Sequence, residues 1–133
     1  MASFDTMKLP DAPDVLAPDG SNVRILLALS GGSMAHFELA AGLVSLAVAH
    51  KTVEEIWYFL TGKGEIWRRE GEYVEIVGLE PGVCISIPRG TAFQFSSHGA
   101  EPLTAVAITM PPWPGDGEAY EVEGAWQPKL GNA

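Results

Sequence analysis

The stretch His50–Trp67, HKTVEEIWYFLTGKGEIW, decides the fold, because it joins a predicted strand to a glycine-rich hairpin. After Glu55 the side chains alternate with the two-residue period of a β-strand, which places Trp57 and Phe59 on the face of Glu55. The opposite face is also apolar, with Ile56, Tyr58 and Leu60. We therefore predict that both faces of this strand are buried.

Two side chains of this stretch are candidates for function. Glu55 opens a strand of large aromatic residues, and a carboxylate there is unfavourable unless it is paired, protonated or bound to a ligand. Its partner is either a structural group, such as Arg68 or Arg69, or something inside a cavity. His50, at the start of the stretch, is either a hydrogen-bonded strand end or the second functional group.

Composition excludes several classes of protein. The chain has 133 residues, which suits one domain, and a net charge of -9 argues against nucleic acid or anionic membranes as partners. No apolar run is long enough to span a bilayer, and a single cysteine, Cys84, excludes an internal disulfide framework. Since the N-terminus also lacks a signal-peptide pattern, we expect a cytoplasmic protein.

Short apolar runs separated by glycine and proline turns recur between residues 23 and 110. No segment has sustained helical periodicity, so the chain is predicted to be all-β, a sandwich or a barrel whose closure removes exposed strand edges. Residues 1–22 and 111–133 are rich in proline and turn residues. We interpret them as an irregular N-terminal arm and a C-terminal tail that packs on the barrel.

Two segments resemble the motifs of the cupin superfamily. Glu55 and Gly62 have the spacing of the second half of the first cupin motif, and Gly82, Pro88 and Gly90 have the spacing of the second motif. The resemblance covers residues 23–110. It implies a single-domain double-stranded β-helix, or jelly-roll barrel, with the arm and the tail outside it.

The chain departs from the cupin pattern at the positions that usually bind metal. The histidine of the second motif is replaced by Phe93 and its asparagine by Ser97. In the first motif His50 and Glu55 remain if four residues separate them, whereas the shorter spacing leaves only Glu55. A divalent metal (Fe, Mn, Zn or Ni) would then need donors from water, substrate or elsewhere in the protein, so we expect no cofactor.

Three aromatic residues, Trp57, Phe59 and Phe93, are predicted to pack in the core or to wall a ligand cavity, as is usual in cupins. Cys84 lies in an apolar run and is predicted to be a small buried residue without nucleophilic function.

Two polar residues have alternative interpretations. Gln94 alternates away from its aromatic neighbours and presents its amide either to a ligand or to a neighbouring strand. His36 is a surface residue if only one side of its strand is enclosed, and a further ligand-binding donor beside His50 if both sides are enclosed.

These residues are consistent with three functions. The first is a cupin that binds a small organic molecule in its cavity and uses His50 and Glu55 as polar contacts, or as the acid–base pair of a metal-independent isomerase, epimerase or lyase. The second is an oxygenase-like metal enzyme with an atypical ligand set, and the third is a non-catalytic sensor or structural dimer. The resemblance also implies a homodimer, for which the apolar run Ile25–Leu29 offers a surface.

Overall fold

The computed structural model describes residues 4–131, and within that range the chain forms eleven β-strands and no helix. The prediction of an all-β chain is confirmed. In chain order the strands are β1 Val15–Leu16, β2 Asn22–Leu29, β3 Gly32–Leu39, β4 Val48–His50, β5 Glu54–Thr61, β6 Gly64–Glu70, β7 Tyr73–Leu79, β8 Cys84–Ile87, β9 Ala92–Ser97, β10 Leu103–Met110 and β11 Ala119–Glu121.

The strands form two antiparallel sheets that enclose one core. One sheet has the order β1-β2-β3-β10-β5-β8 and the other β11-β4-β9-β6-β7. From β3 to β6 and from β7 to β11 consecutive strands alternate between the sheets, as expected for a jelly-roll barrel, whereas β1–β3 lie together in one sheet and β6 and β7 together in the other. None of the residues from 4 to 131 belongs to a helix that is long and apolar enough to cross a membrane.

Aromatic rings fill the space between the two sheets. Five of them are almost completely buried: Phe37, Trp57, Phe59, Phe93 and Phe95. Neighbouring rings pack mostly edge to face, with centroids from 4.5 Å (Phe37–Trp57) to 6.3 Å (Phe37–Phe59) apart. This geometry is favourable for aromatic pairs, so the barrel interior is packed tightly by side chains.

The predicted burial of both faces of β5 is wrong. Trp57 and Phe59 face the core, but Ile56, Tyr58 and Leu60 are 44%, 47% and 40% exposed. The outer side of β5 is open to solvent, as is common for antiparallel sheets. Cys84 is exposed for the same reason, because β8 turns Ile85 and Ile87 inward and Cys84 outward. The predicted burial of Cys84 is therefore also wrong.

The turn between β5 and β6 reverses the chain as predicted, but the predicted hairpin is wrong, because these strands do not pair: β5 lies between β10 and β8 in one sheet and β6 between β9 and β7 in the other. Gly62 has a φ of +84°, and a Cβ on it would collide with the backbone of Pro102 and Leu103. The reversal therefore requires glycine at this position.

The N-terminal arm and the C-terminal tail both contribute strands, although the sequence indicated irregular segments. In the arm, β1 pairs with β2, and in the tail β11 pairs with β4. The strand before the first motif is shorter than the apolar run suggests and covers only Val48–His50. One reason is that Leu46 donates its N–H to the carbonyl of Asp19 in the arm, at 2.8 Å, instead of to a strand.

Candidate functional site

His50 and Glu55 lie close together at one end of the barrel. His50 ends β4 in one sheet and Glu55 lies near the start of β5 in the other, so the two-sheet packing brings them face to face. They are 6% and 7% exposed. The distance from His50 Nδ1 to Glu55 Oε2 is 4.0 Å, which is too long for a direct hydrogen bond.

Two side chains hold the carboxylate of Glu55 in place. Trp57 donates from Nε1 to Oε1 at 2.7 Å, and Thr109 donates from its hydroxyl to Oε2 at 2.8 Å. Burial raises the pKa of Glu55 above its ordinary value, while these two hydrogen bonds act in the opposite direction. Neither of the arginines suggested by the sequence is its partner, since Arg68 pairs with Glu75 at 2.8 Å.

The imidazole of His50 has an unusual environment. Its ring packs edge to face against Phe93 and against Trp113 of the tail, at centroid distances of 5.3 Å and 5.1 Å. Its buried Nδ1 has no hydrogen-bond partner among residues 4–131. Burial lowers the pKa of His50 below 6.5, although the carboxylates of Asp19 and Glu118 oppose this shift. The ring is therefore neutral near pH 7.

The two acidic residues that influence His50 come from the arm and the tail, and the sequence did not single them out. Asp19 accepts hydrogen bonds from the Ser21 N–H and hydroxyl at 2.9 Å and 2.6 Å, and burial raises its pKa. Glu118 is also buried. No motif marks either position, so only the tertiary structure reveals them.

Glu118 connects the tail to the loop that follows His50. Its carboxylate accepts the Thr52 N–H and hydroxyl at 2.7 Å and 2.6 Å and the Val53 N–H at 3.0 Å. Burial acts to raise the pKa of Glu118, but these bonds outweigh it and the pKa lies below its ordinary value. Glu118 is therefore a structural anion that positions the His50 loop.

Thr91 provides another of the four buried polar side-chain atoms without a partner among the described residues, the remaining two being His36 Nδ1 and Ser97 Oγ. The antiparallel β4–β9 register pairs Val48 with Phe93, so His50, two residues after Val48, and Thr91, two residues before Phe93, are neighbours on the same face. The amide of Gly90 donates to the His50 carbonyl at 3.2 Å, which fixes this approach. Like His50 Nδ1, the buried Thr91 hydroxyl has no hydrogen-bond partner among the described residues.

A groove of about 320 Å³ opens at this end of the barrel, beside Thr91. It is lined by residues of β6, β7, β8 and the β8–β9 turn: Arg68, Arg69, Glu70, Tyr73, Glu75, Ser86, Pro88 and Thr91. Neither His50 nor Glu55 lines the groove, and its connection to them is Thr91, the cross-strand neighbour of His50.

The other predicted site residues do not all reach this place. Trp57, Phe59 and Phe93 are core residues, and Trp57 and Phe93 also contact Glu55 and His50. His36 lies on the outer side of its strand, because its neighbour Phe37 faces the core. It is nevertheless only 7% exposed. His36 therefore does not lie beside His50, which was one of the two alternatives left open by the sequence.

Gln94 faces away from the barrel interior and binds the tail. Its Nε2 donates to the carbonyls of Ser45 and Trp126 at 2.9 Å and 2.8 Å, and its Oε1 accepts the amides of Ala125 and Trp126 at 3.0 Å and 2.9 Å. The tail approaches so closely that a Cβ on Gly124 would be 2.5 Å from Gln94 Oε1. With its amide fully used, Gln94 contacts protein backbone here and not the groove.

The side chains at the barrel end do not fit a metal ion. No group of three or more His, Cys, Asp or Glu residues between positions 4 and 131 is arranged to hold one. Of the two donors that remain from the motif, Glu55 already accepts hydrogen bonds at both oxygens, and Phe93 occupies the place of a further ligand. We therefore derive no chemistry through a metal from this site.

Comparison with known proteins identifies the fold. The family model described as "Cupin domain" matches residues 35–109. No curated protein matches the sequence significantly.

Similar solved structures have low sequence identity and therefore inform on the fold alone. An uncharacterized conserved protein with a double-stranded β-helix domain from Klebsiella pneumoniae has 14% identity and a TM-score of 0.69, over 92% of this chain and 100% of that one. Oxalate decarboxylase from Bacillus subtilis has 12% identity and a TM-score of 0.75, over 92% of this chain and 33% of that one.

The capsular polysaccharide assembling protein CapF from Staphylococcus aureus has 16% identity and a TM-score of 0.69, over 81% of this chain. The match spans only 33% of CapF, so this chain corresponds to about one third of that protein.

Proposed function

This chain belongs to the cupin family, and we propose that it binds a small organic molecule at the barrel end where His50 and Glu55 face each other. The observation that carries this proposal is the buried Nδ1 of His50, which has no partner and lies 4.0 Å from Glu55 Oε2. A buried polar atom without a hydrogen bond costs about 1–3 kcal/mol. A ligand hydroxyl between these two atoms would bond to both.

We further propose that the pair performs proton transfer. A neutral imidazole accepts a proton, and a carboxyl group whose pKa is raised by burial can hold one and return it. His50 would take a proton from the bound molecule at Nδ1, and Glu55 would supply one at another atom. Such a step needs no other reagent and is the chemistry of an isomerase, epimerase or lyase.

One observation favours a second candidate, a non-catalytic sensor. The rings that fill the barrel leave its interior packed, so a ligand would occupy only the end of the barrel. Binding without turnover would support this candidate.

We also propose that two copies of the chain form a dimer through β2. Beyond Val23 no described strand pairs with the outer edge of β2, and Ile25, Leu27 and Leu29 on this strand are 55%, 41% and 83% exposed. An antiparallel copy of the same strand is self-complementary and would cover both the apolar side chains and the free edge. Light scattering should give twice the chain mass, and Leu27→Lys should give the monomer mass.

The proposed ligand site is tested by NMR of the histidine side chains. Hexoses, small hydroxy acids and short dicarboxylates, including oxalate because a structurally similar protein is named for it, would be titrated into the protein. We expect a ligand to shift the ring signals of His50. The control is His98, which is half exposed and bonds to Ser96 near the far end of β9. Shifts confined to His98, or none, would contradict the proposal.

Two variants separate binding from folding. His50→Ala and Glu55→Gln should abolish binding or turnover, while Glu55→Gln should fold as well as the wild type. A glutamine oxygen accepts from Trp57 and its amide group donates to Thr109, so both contacts survive. A large loss of thermal stability in Glu55→Gln would instead mean that the carboxylate is structural.

A further inference from the structure

The ring of Trp113 lies over the barrel end at which His50 and Glu55 face each other. His50 is placed between two rings, with Phe93 on one side and Trp113 on the other, at centroid distances of 5.3 Å and 5.1 Å. Phe93 is 1% exposed and belongs to the core, whereas Trp113 is 37% exposed. Trp113 therefore lies between His50 and solvent.

The backbone of Trp113 is held by the opposite sheet. Its N–H donates to the Ser33 hydroxyl at 3.0 Å. The strand registers pair Ser33 with Thr109 and Thr109 with Glu55, so these three residues form one row at the end of that sheet. Trp113 thus crosses the barrel end from Ser33 in one sheet to His50 in the other.

The segment that carries Trp113 is fixed at both ends but weakly held between them. It comprises residues 111–117, PPWPGDG, which follow β10 and precede Glu118. Glu118 is anchored by three hydrogen bonds to the loop after His50. Among the described residues, the bond to Ser33 is the one hydrogen bond between this segment and the barrel. Three of the seven residues are proline, which has no N–H with which to form another.

Two glycines give the segment a place to bend. Gly115 and Gly117 have φ values of +109° and +86°, in the region that favours glycine, and nothing within 4 Å crowds either position. Both lie between Trp113 and the anchored Glu118. Rotation at these positions would lift the indole from His50 while Glu118 stays in place.

The buried atom beneath the ring indicates that a ligand has to pass it. His50 Nδ1 has no hydrogen-bond partner among the described residues, and His50 is 6% exposed. A molecule that bonds to this atom must therefore displace a neighbouring side chain. Of the two rings that enclose His50, Phe93 is fixed in the core, whereas Trp113 borders solvent on a segment that can bend.

We propose that Trp113 is the lid of the His50–Glu55 site, which opens when residues 111–117 lift from Ser33 and then closes the indole over the bound molecule. The ligand would present a polar group to His50 and a flat or apolar face to the indole. Closure would also exclude water from the His50–Glu55 pair. This inference rests on the proposed function, because it adds the access route and the outer wall of the same site.

The lid is tested by modifying histidine with diethyl pyrocarbonate and locating the product by peptide mass spectrometry. In the wild type His50 should react at least about tenfold more slowly than the half-exposed His98, because the reagent reaches His50 only when the lid is open. Trp113→Ala should raise the rate at His50 by about tenfold or more. The rates at His98 and at His36, which is buried on the outer side of its strand, should not change.

Two further variants separate a lid from a fixed cover. Ser33→Ala keeps the indole but removes the hydrogen bond that holds the segment, so it should raise the rate at His50 by about fivefold. Trp126→Ala removes an indole of the same tail that packs on the outer side of the other sheet, and it should leave that rate unchanged. Thermal denaturation checks that each variant is folded, and Ser33→Ala decides the question if Trp113→Ala is not.

The possible failures are distinguishable. An unchanged rate at His50 in both Trp113→Ala and Ser33→Ala would overturn the lid, while ligand-induced shifts of the His50 ring would still support the proposed function. A rise in Trp113→Ala without one in Ser33→Ala would mean that Trp113 is a fixed cover, which also overturns the lid. Rates as expected, without a His50 shift in titrations of the wild type or of Trp113→Ala, would support the opening motion and contradict the proposed function.

Discussion

Gln94 and His50 are polar residues on neighbouring strands of one sheet, and they differ in how their polar atoms are satisfied. Both are buried, at 0% and 6% exposure. The amide of Gln94 makes four hydrogen bonds to backbone groups, whereas Nδ1 of His50 makes none within the described range. Gln94 faces outward beneath the tail, and His50 lies at the barrel end beside a groove.

The difference indicates which buried polar residues serve the fold and which are available to a ligand. The hydrogen bonds of Gln94 to backbone groups compensate the free-energy cost of burying its amide. They also fix one position of the tail. In the ligand-free protein no hydrogen bond within the described range compensates the free-energy cost of burying His50 Nδ1. Binding of the correct molecule removes that cost, and this favours the barrel end as the functional region.

The largest effect is expected for Gln94→Leu. Gln94 bonds to two backbone amides and two backbone carbonyls, and the substitution leaves all four without this partner. The free energy of unfolding should fall by about 3–4 kcal/mol. Urea denaturation measures this loss, and Trp126 fluorescence should show the tail detaching. A loss below about 1 kcal/mol would mean that the four hydrogen bonds of Gln94 do not hold the tail in place.

A smaller loss is expected for Thr109→Val, which removes a donor to Glu55 without changing the size of the side chain. The free energy of unfolding should fall by about 1–2 kcal/mol. The pKa of Glu55 should rise further, because Thr109 supplies one of the two hydrogen bonds that favour the charged form. Carboxyl-carbon NMR measures that pKa, and an unchanged value would show that this hydrogen bond does not tune Glu55.

Thr91→Val should have the opposite sign. The hydroxyl is buried without a partner, so a methyl group in its place should raise the free energy of unfolding by about 1 kcal/mol in the absence of ligand. Thr91 and Thr109 thus form a matched pair in which the same substitution has opposite effects on stability. A destabilised Thr91→Val variant would show that its hydroxyl has a partner in solution, such as an ordered water.

The smallest effect is a change in pH dependence in His50→Gln. Burial lowers the pKa of His50 in the folded state below 6.5, so the unfolded chain binds more protons below that pH. The stability contributed by the neutral ring is complete above about pH 6.5 and is lost as the pH falls towards the folded-state pKa. The stability difference between wild type and variant should therefore be constant above this pH and decline below it.

Urea denaturation at a series of pH values measures this difference. The raised pKa values of Asp19 and Glu55 act in the opposite direction in both proteins and cancel to first order in the subtraction. A difference that grows as the pH falls would mean that His50 is stabilised in its charged form.

Much of the fold was predictable from local pattern. The glycine turn, the strand on either side of it and the second motif were found as expected, but the strands that the turn joins lie in different sheets and form no hairpin. Burial was less predictable, because alternation shows which residues share a face but not whether another layer covers that face. This is why the outer side of β5 and Cys84 were placed incorrectly.

The candidate site was predictable only in part. His50 and Glu55 were identifiable from the motif spacing, and Phe93 marked the loss of a metal ligand. Asp19, Glu118 and Trp113 lie in the arm and tail, which have no periodicity and no motif. Their contribution depends on long-range packing, and no local rule predicts which acidic residue of a proline-rich segment will be buried.

The sequence by itself determined that the chain is all-β, where its glycine turn lies, and that two of the usual cupin metal ligands are missing. These follow from side-chain periodicity, from backbone conformations that favour glycine and from residue identity, all of which are local properties. Only the tertiary structure decided that Gln94 is saturated by the tail while His50 Nδ1 and the Thr91 hydroxyl have no hydrogen-bond partner among the described residues. The physical reason is that hydrogen-bond satisfaction depends on which distant backbone arrives beside a buried atom, and that is settled when the two sheets, the arm and the tail pack together.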